Sequence, residues 1–330
     1  MTELVATTPG LFPLPDWAKT EVADRAGSGG GRHPGDGRGA VAEAYGRARR
    51  EVLDDQVEAG LDRIVEGQLR WTDMLAHPLV ASDATERGDV RRYYENNNFY
   101  RAPRVVAEPT PTGAVAEELR AARDHVGDAP LQAVLPGPYS LSDLAIDDRY
   151  GDPAEFLAAV AEFLAGEVER FPEVETLFLL EPSLVVNPPG DDLDARVPEA
   201  VDVVADATDA DVVVYAYWGA LEEKVYAHLM DATVEALGFD FVTEQDRTLY
   251  NVTEYGTTDA IAAGVVDGQN TRVEDPETVR ERVDWIDERV PAQEFDRVYV
   301  TASTELFYLP TTIAREKLGV LAAATGEVEA

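Results

Sequence analysis

Short runs of apolar residues alternate along the chain with longer segments of helical periodicity. The runs consist mainly of Val, Ile, Leu and Phe with little polar alternation, which is typical of strands buried on both faces of a parallel sheet. The pattern predicts eight strands, at Thr7–Phe12, Arg63–Gly67, Leu131–Leu135, Thr176–Leu180, Asp211–Tyr217, Asp240–Thr243, Gly264–Asp267 and Arg297–Thr301.

The segments between these runs are predicted to be helices, and several begin with Asp, Thr or Pro, which favour helix starts. The clearest is Val41–Ala59, which is followed by a glycine at Gly60, where many helices end. Eight strands joined by helical crossovers predict a (β/α)₈ barrel that forms one domain over residues 1–330, with a doubly wound open sheet as the alternative. The other predicted helices are Ala114–His125, Pro153–Arg170, Leu221–Ala236, Pro276–Asp287 and Thr311–Ala324.

Two long connections follow the first and second predicted strands. Residues 26–39 are rich in glycine but lack the spacing of a phosphate-binding loop, so we expect a flexible loop there. Residues 76–112 form the second insertion, which contains aromatic and amide residues between Tyr93 and Tyr100. Asparagine is common in ordinary turns, but the flanking aromatic residues favour a role in ligand binding.

The charge is strongly acidic, with 28 Lys and Arg against 64 Asp and Glu, a net charge of −36. The carboxylates are spread over amphipathic segments, which indicates a surface adapted to concentrated salt, where like-charge repulsion is screened. We expect a cytoplasmic, halophilic protein. Such a surface repels nucleic acid, and the sequence shows neither an apolar run of membrane-spanning length nor a signal peptide.

Metal chemistry receives little support from the sequence. Cysteine is absent, and the four histidines are scattered without the spacing of metal ligands. We therefore expect this chain to bind no metal by itself.

Candidate site residues come from the carboxyl ends of the predicted strands, because function in such barrels collects at that end. This rim is polar and aromatic, which suits a flat polar ligand. Structural roles are the alternative: Glu181 could cap a turn, Tyr217 and Trp218 could belong to the core, and Arg70 and Asp73 could pair on the surface. The candidates are Gln68, Arg70, Asp73, Glu181, Tyr217, Trp218, Glu244, Asp267 and Asn270.

A resemblance to cobalamin-independent methionine synthases extends over nearly the whole chain. It rests on segments that recur in that order in the family, namely Gln56–Met74, Tyr93–Pro103, Leu135–Pro138, Leu180–Leu184, Tyr215–Gly219, Gly264–Asn270 and Thr301–Pro310. The family has two face-to-face barrels. One binds homocysteine and a catalytic zinc, and the N-terminal barrel lacks the metal and helps to hold the folate.

The chain resembles the zinc-free N-terminal barrel. Tyr94–Pro103 looks like a segment of that half, Ala216–Gly219 stands where the zinc barrel carries His-x-Cys, and Thr304 stands near its late cysteine. Glu244 falls at the position of the zinc barrel's glutamate ligand, which cannot hold zinc alone. The resemblance adds three folate-cleft candidates to those above, Lys19, Asn97 and Tyr100.

Two positions depart from the family pattern. The acidic pair before the strand-4 proline is reduced to Leu180-Glu181, and Leu14 stands where a basic residue would contact the folate tail.

The resemblance implies a component of methionine synthase, which transfers a methyl group from 5-methyltetrahydrofolate to homocysteine. Since this chain has no means of activating the thiol, we expect it to act with a separate zinc-bearing paralogue. Methylated tetrahydrofolate would be the co-substrate, and zinc would be bound only in the partner. One alternative is a non-catalytic partner that stabilises or regulates the paralogue. Another is a repurposed barrel like uroporphyrinogen decarboxylase, in which Arg70 and Asp73 would contact a tetrapyrrole.

Overall fold

The computed structural model describes residues 2–27, 36–94, 96–190, 192–290 and 294–326. Most strands fall on the apolar runs of the sequence, and in the middle of the chain they are buried on both faces. The strands in chain order are β1 (Glu3–Ala6), β2 (Ile64–Val65), β3 (Thr85–Arg92), β4 (Phe99–Val105), β5 (Leu131–Pro136), β6 (Ile146–Asp147), β7 (Thr176–Leu180), β8 (Asp211–Ala216), β9 (Ala236–Asp240), β10 (Ala260–Val266) and β11 (Arg297–Ala302).

Eight of these strands form one sheet in the order β1-β11-β10-β9-β8-β7-β5-β2. All of its pairings are parallel. The two edge strands also meet, because the Ala6 carbonyl accepts the N–H groups of Asp62 at 3.0 Å and Arg63 at 3.3 Å. Neighbours in space are therefore neighbours in sequence, as in a (β/α)₈ barrel and not in a doubly wound sheet. The predicted barrel is confirmed.

Helices connect the strands around the outside of the sheet. Two of them, at Pro153–Val168 and Pro276–Arg289, begin at a proline that follows an aspartate; for example, the Asp152 carboxylate accepts the N–H groups of Ala154 and Glu155 and caps the following helix. The α-helices in chain order are α1 (Asp16–Gly27), α2 (Asp36–Ala59), α3 (His77–Val80), α4 (Ala114–Val126), α5 (Pro138–Leu144), α6 (Pro153–Val168), α7 (Ser183–Val186), α8 (Val197–Ala205), α9 (Glu223–Leu229), α10 (Gln245–Tyr255), α11 (Pro276–Arg289) and α12 (Thr311–Thr325).

The insertion after β2 is not a long loop but a folded hairpin. Strands β3 and β4 pair antiparallel, with Arg92 opposite Phe99 and Thr85 opposite Val105. Strand β6 adds to β4 in parallel, so a small three-stranded sheet stands beside the barrel. The predicted insertion at 76–112 is thus correct in position, but its backbone is ordered by strand pairing.

Three predicted elements are placed wrongly. Thr7–Phe12 is not a strand: β1 precedes it, and positive φ angles at Gly10 (81°) and Leu11 (49°) break the extended conformation. The Asp240–Thr243 strand actually ends at Asp240, because this carboxylate accepts the N–H groups of Val242 and Thr243 in a turn. The Leu221–Ala236 helix is confined to α9, and β9 begins at Ala236.

The glycine-rich loop predicted at 26–39 is also wrong at its ends. Helix α1 extends to Gly27 and helix α2 begins at Asp36. Residues 28–35 lie outside the described residues.

Aromatic and polar side chains fill the barrel interior. The Tyr215 ring packs against Phe178 with ring centroids 5.9 Å apart, and its hydroxyl donates to the Ala302 carbonyl at 2.7 Å. Glycine makes room for it: a Cβ on Gly264 would lie 2.1 Å from the Tyr215 hydroxyl. These side chains fill the barrel interior just below the carboxyl ends of β8 and β11.

Candidate functional site

A carboxylate lies at the barrel mouth, the opening at the carboxyl ends of the barrel strands. Glu305, just after β11, is fully buried, and one of its oxygens, Oε1, accepts the hydroxyls of Tyr217 at 2.6 Å and Tyr93 at 2.9 Å. Tyr217 follows β8, and Tyr93 lies at the tip of the β3–β4 hairpin. Three segments that are far apart in sequence therefore meet on one oxygen atom.

The second oxygen of Glu305, Oε2, is buried without a hydrogen-bond partner among the described residues. Burial raises the pKa of Glu305 to about 7, although the hydrogen bonds from Tyr217 and Tyr93 act in the opposite direction. Burial, followed by the charge of Glu305, raises the pKa of both tyrosines well above its usual range. The tyrosines thus remain hydrogen-bond donors, while the carboxyl group can gain or lose a proton near neutral pH.

Trp218 lies against this cluster at the end of β8. Its φ angle is 72°, in the left-handed region that is uncommon for a large side chain. The ring is partly exposed and packs edge-on against Tyr94 at 4.8 Å, Tyr217 at 5.1 Å and Tyr93 at 5.8 Å between centroids. Its indole Nε1 is buried and lacks a hydrogen-bond partner within the described ranges. Residues strained in this way cluster at functional sites.

A polar chain extends from the aromatic cluster to the rim. The Tyr94 and Ser183 hydroxyls lie 2.7 Å apart, and Ser183 donates to Asp143 at 2.8 Å. Asn187 also donates to Asp143, at 3.0 Å. These bonds fix the hairpin tip to the short helices α5 and α7, which follow β5 and β7.

Glu181 is fully buried and has a structural partner. Its carboxylate accepts the backbone N–H groups of Tyr139 at 2.9 Å and Ser140 at 2.7 Å, together with the Ser140 hydroxyl. It therefore caps the amino end of α5 rather than the turn that follows it. Burial raises the pKa of Glu181 to about 7, against the effect of these hydrogen bonds. A Cβ on Gly137 would lie 2.2 Å from the carboxyl group, so any larger residue there would displace the Glu181 side chain.

A polar depression of about 380 Å³ lies at the ends of β9, β10 and β11. Asp267 and Asn270 belong to it, and the Asp267 carboxylate orders the turn by accepting the N–H groups of Gln269 and Asn270. Lys317, on α12, holds the loop that follows β10 in place. It is fully buried, and its Nζ donates to Glu274 at 2.5 Å. The other lining residues are Val242, Thr243, Gln269, Thr271, Ser303 and Thr304.

Some predicted residues have structural roles at the rim. Gln68 is buried, and its side-chain oxygen accepts the Leu11 N–H at 2.9 Å, which ties the segments after β1 and β2 together. The Tyr100 hydroxyl donates to the Leu144 carbonyl at 3.0 Å. Asp73 accepts the Arg101 backbone N–H at 2.8 Å.

The structure does not bring the remaining predicted residues into the cluster. Lys19 is exposed on α1 and pairs with Asp16 at 3.0 Å, and Asn97 is exposed at the hairpin tip. Arg70 contacts Glu118 at 3.5 Å and does not pair with Asp73. Glu244 is half exposed, and its carboxylate accepts the Ala220 N–H at 3.1 Å. Of the predicted residues, Tyr217 and Trp218 therefore form the core of the mouth.

The central residue, Glu305, is not among the residues predicted from the sequence, although it lies within the Thr301–Pro310 segment that carries the family resemblance. The prediction also overlooked Asp240, which lies at the end of β9 with one buried oxygen unpartnered in the described parts of the chain. Burial raises the pKa of Asp240. An acidic residue at or shortly after the end of an apolar strand was the available signal, but acidic residues are so frequent in this chain that this signal does not stand out.

These residues do not fit a catalytic zinc ion. Over the described ranges there is no group of three or more His, Asp or Glu that could hold a metal, and the chain has no cysteine. Tyr217, Trp218 and Thr304 offer no thiolate or imidazole at the ends of β8 and β11. No helix in the described part of the chain is both long and apolar enough to cross a membrane.

The fold and the mouth together define a (β/α)₈-barrel protein with a carboxylate–aromatic cluster and no metal-ligand set of its own in the described residues. The chain belongs to the cobalamin-independent synthase family, N-terminal domain, whose model matches residues 81–291.

Two proteins of similar sequence are named as a methionine synthase and a homocysteine methyltransferase. A methionine synthase of Saccharolobus islandicus is 23% identical over 317 residues, which cover 96% of this chain and 92% of that protein. A 5-methyltetrahydropteroyltriglutamate–homocysteine methyltransferase of Streptococcus sanguinis is 27% identical over 243 residues, which cover 70% of this chain and 31% of the other.

Two solved structures share the fold. A B12-independent methionine synthase from Shewanella, in complex with selenomethionine, superposes on this chain with a TM-score of 0.77 at 16% identity. The aligned region covers 97% of this chain and 96% of the Shewanella chain. A putative vitamin-B12-independent methionine synthase from Listeria monocytogenes gives 0.73 at 16% identity, with 98% of both chains covered. At this identity the likeness concerns the fold alone.

Proposed function

We propose that the chain is the zinc-free barrel of a two-chain methionine synthase. In this role it transfers no methyl group by itself. It binds 5-methyltetrahydrofolate at its barrel mouth and presents it to a zinc-bearing paralogue that holds homocysteine. Family membership supports the reaction, and the lack of a fitting donor set supports placing the metal in the partner. The steps assigned to this chain therefore involve no metal.

The observation that carries the proposal is Trp218. A large ring held at positive φ at a barrel strand end, partly exposed and backed by three tyrosines, offers a flat surface for stacking. Its indole N–H is buried and has no partner among the described residues, so a ligand acceptor that enters the mouth and reaches it would satisfy this donor. A pterin ring is flat, polar and rich in acceptors, which matches this combination.

The role of this chain in the reaction is to bind and align the methyl donor. Methyl transfer from a tetrahydrofolate nitrogen needs a donor that is positioned in line with the thiolate and shielded from water. Glu305 could also hold a proton near the folate, because its pKa lies at about 7 and its Oε2 is unpartnered in the described part of the structure. Protonation of the folate nitrogen would make it a better leaving group.

The test is methionine formation from homocysteine and 5-methyltetrahydrofolate in molar salt. We expect the zinc-bearing paralogue to be slow alone and strongly stimulated when this protein is added. Trp218→Phe is expected to reduce the stimulation by about tenfold, since it removes ring area and the indole donor. Lys19→Ala tests the predicted folate contact of Lys19.

Trp17→Phe is the matched control, because Trp17 is an exposed tryptophan on α1 whose N–H is bonded to Glu51. It should leave the stimulation unchanged. Quenching of tryptophan fluorescence by the folate measures binding separately from turnover. No stimulation and no folate binding by folded protein would refute the proposal. Stimulation without folate binding would instead indicate a partner that only stabilises the paralogue.

A further inference from the structure

The β3–β4 hairpin differs in charge from the rest of the molecule. Residues 85–105 carry five arginines and three acidic residues, a net charge of +2, whereas the whole chain has −36 and the remainder therefore −38. The hairpin arginines are Arg87, Arg91, Arg92, Arg101 and Arg104.

The two faces of the hairpin are unlike each other. Side chains alternate between the faces of a strand, so Tyr100 and Ala102 point to the buried face, and Phe99 and Arg101 point outward. Pairing places Arg92 opposite Phe99 and Val90 opposite Arg101 on the same outer face. Phe99 and Val90 are each 57% exposed. The outer face, defined by Val90, Arg92, Phe99 and Arg101, thus combines apolar groups with arginines.

We propose that this outer face is the docking surface for a separate acidic protein, namely the zinc-bearing paralogue; the identity of this partner rests on the proposed function. Aromatic residues and arginine are enriched in protein interfaces, where they often contribute most of the binding energy. The two arginines and the two exposed apolar side chains of the outer face are complementary to a partner surface that carries both carboxylates and apolar groups.

Charge complementarity also selects against other occupants. A contact in which the outer faces of two copies pack on each other would place the arginines of one face against the same arginines of the other. A nucleic acid would meet two arginines on the face but a charge of −38 on the rest of the chain. A protein with a local acidic patch satisfies the face without requiring the remaining surface to approach a polyanion.

The position of the hairpin connects this surface to the barrel mouth. At the hairpin tip, Tyr93 bonds to Glu305, and the Asn96 amide donates to the Tyr308 hydroxyl at 2.9 Å. A partner bound to the outer face would therefore lie beside the mouth. This is where a second active centre must lie if it is to receive a group from a ligand bound at Trp218.

The test measures the Kd of the purified zinc-bearing paralogue for this protein by light scattering and calorimetry, over a range of KCl concentrations. The double variant Arg92→Glu and Arg101→Glu should weaken binding by at least about tenfold, with the largest effect at the lowest salt that keeps the protein folded. Phe99→Ser should weaken binding at all salt concentrations. The control, Arg50→Glu with Arg196→Glu, makes the same change in net charge at exposed positions outside the hairpin.

The outcomes separate the two proposals. If the wild-type protein binds the paralogue and the hairpin variant binds as tightly as the control, the docking surface is wrong and the proposed function stands. If the wild-type protein does not bind the paralogue, both are refuted. Binding of a short RNA that the hairpin variant loses would assign the surface to nucleic acid and overturn the proposal. Far-ultraviolet circular dichroism of each variant verifies that it is folded.

Discussion

Replacement of Glu305 by glutamine is expected to stabilise the protein at neutral and alkaline pH. The change keeps an oxygen to accept the hydroxyls of Tyr217 and Tyr93, and it places an amide where Oε2 has no partner among the described residues. It removes a carboxylate that is fully buried. The cost of burying that charge disappears, while the hydrogen bonds from the tyrosines remain.

The magnitude follows from the pKa. Burial raises the pKa of Glu305 from 4.5 to about 7 in the folded protein. Below the unfolded value both states are protonated, and the carboxyl group causes no loss of stability. As the pH rises from about 4.5 to about 7, the unfolded chain loses the proton first, so the stability of the wild type falls. The full loss is roughly 3 kcal/mol above pH 7, at about 1.4 kcal/mol for each pKa unit.

The assay is guanidinium unfolding in molar KCl at a series of pH values, with the wild type and Glu305→Gln compared at each. Other buried carboxyl groups titrate in the same range, but they are common to both proteins and cancel in the difference. We expect the two free energies of unfolding to agree near pH 4.5 and the variant to be more stable by about 2–3 kcal/mol near pH 8. A variant that is less stable than the wild type at pH 8 would refute this reasoning.

Two further predictions concern buried partners of the rim. Arg49→Met should lower the free energy of unfolding by about 3 kcal/mol in the same denaturation assay. The Arg49 guanidinium bonds to Glu66 at 2.5 Å, and its loss leaves Glu66 as a buried charge without its main partner. An unchanged unfolding midpoint would contradict this. Gly137→Ala should lower it by about 1–3 kcal/mol, because the new Cβ would lie 2.2 Å from the Glu181 carboxyl group. The exposed Gly39, where a Cβ meets nothing within 4 Å, provides a matched alanine control.

The barrel could be predicted because its strands depend on local composition. The run Thr176–Leu180 is apolar at nearly every position and forms a strand with the predicted bounds. Predictions failed where side chains redirect the backbone. The Asp240 carboxylate ends β9 by accepting hydrogen bonds from the next turn. The hairpin is ordered by antiparallel pairing between β3 and β4, which hydrophobic periodicity does not reveal.

The site was harder to predict than the fold, because its geometry depends on contacts between distant segments. Tyr93 and Glu305 are separated by 212 residues and meet only after the barrel closes. Their positions at a strand end correctly placed Tyr217 and Trp218 at the mouth, where their rings are in contact. The same criterion also selected Glu181, whose carboxylate caps a helix instead. Strand-end location thus identifies the mouth, while burial and hydrogen bonding decide which side chains can still bind a ligand.

A buried carboxyl group whose removal stabilises the protein needs a reason to be present, and function is the usual one. Glu305 can be tested on this point by combining the two assays. If Glu305→Gln is more stable at pH 8 and also loses the stimulation of methionine formation, Glu305 lowers the stability of the fold but is needed for the function of the barrel mouth. If the variant is more stable and fully active, the protonation role proposed for Glu305 is wrong. In that case the binding surface reduces to Trp218 and the tyrosines around it.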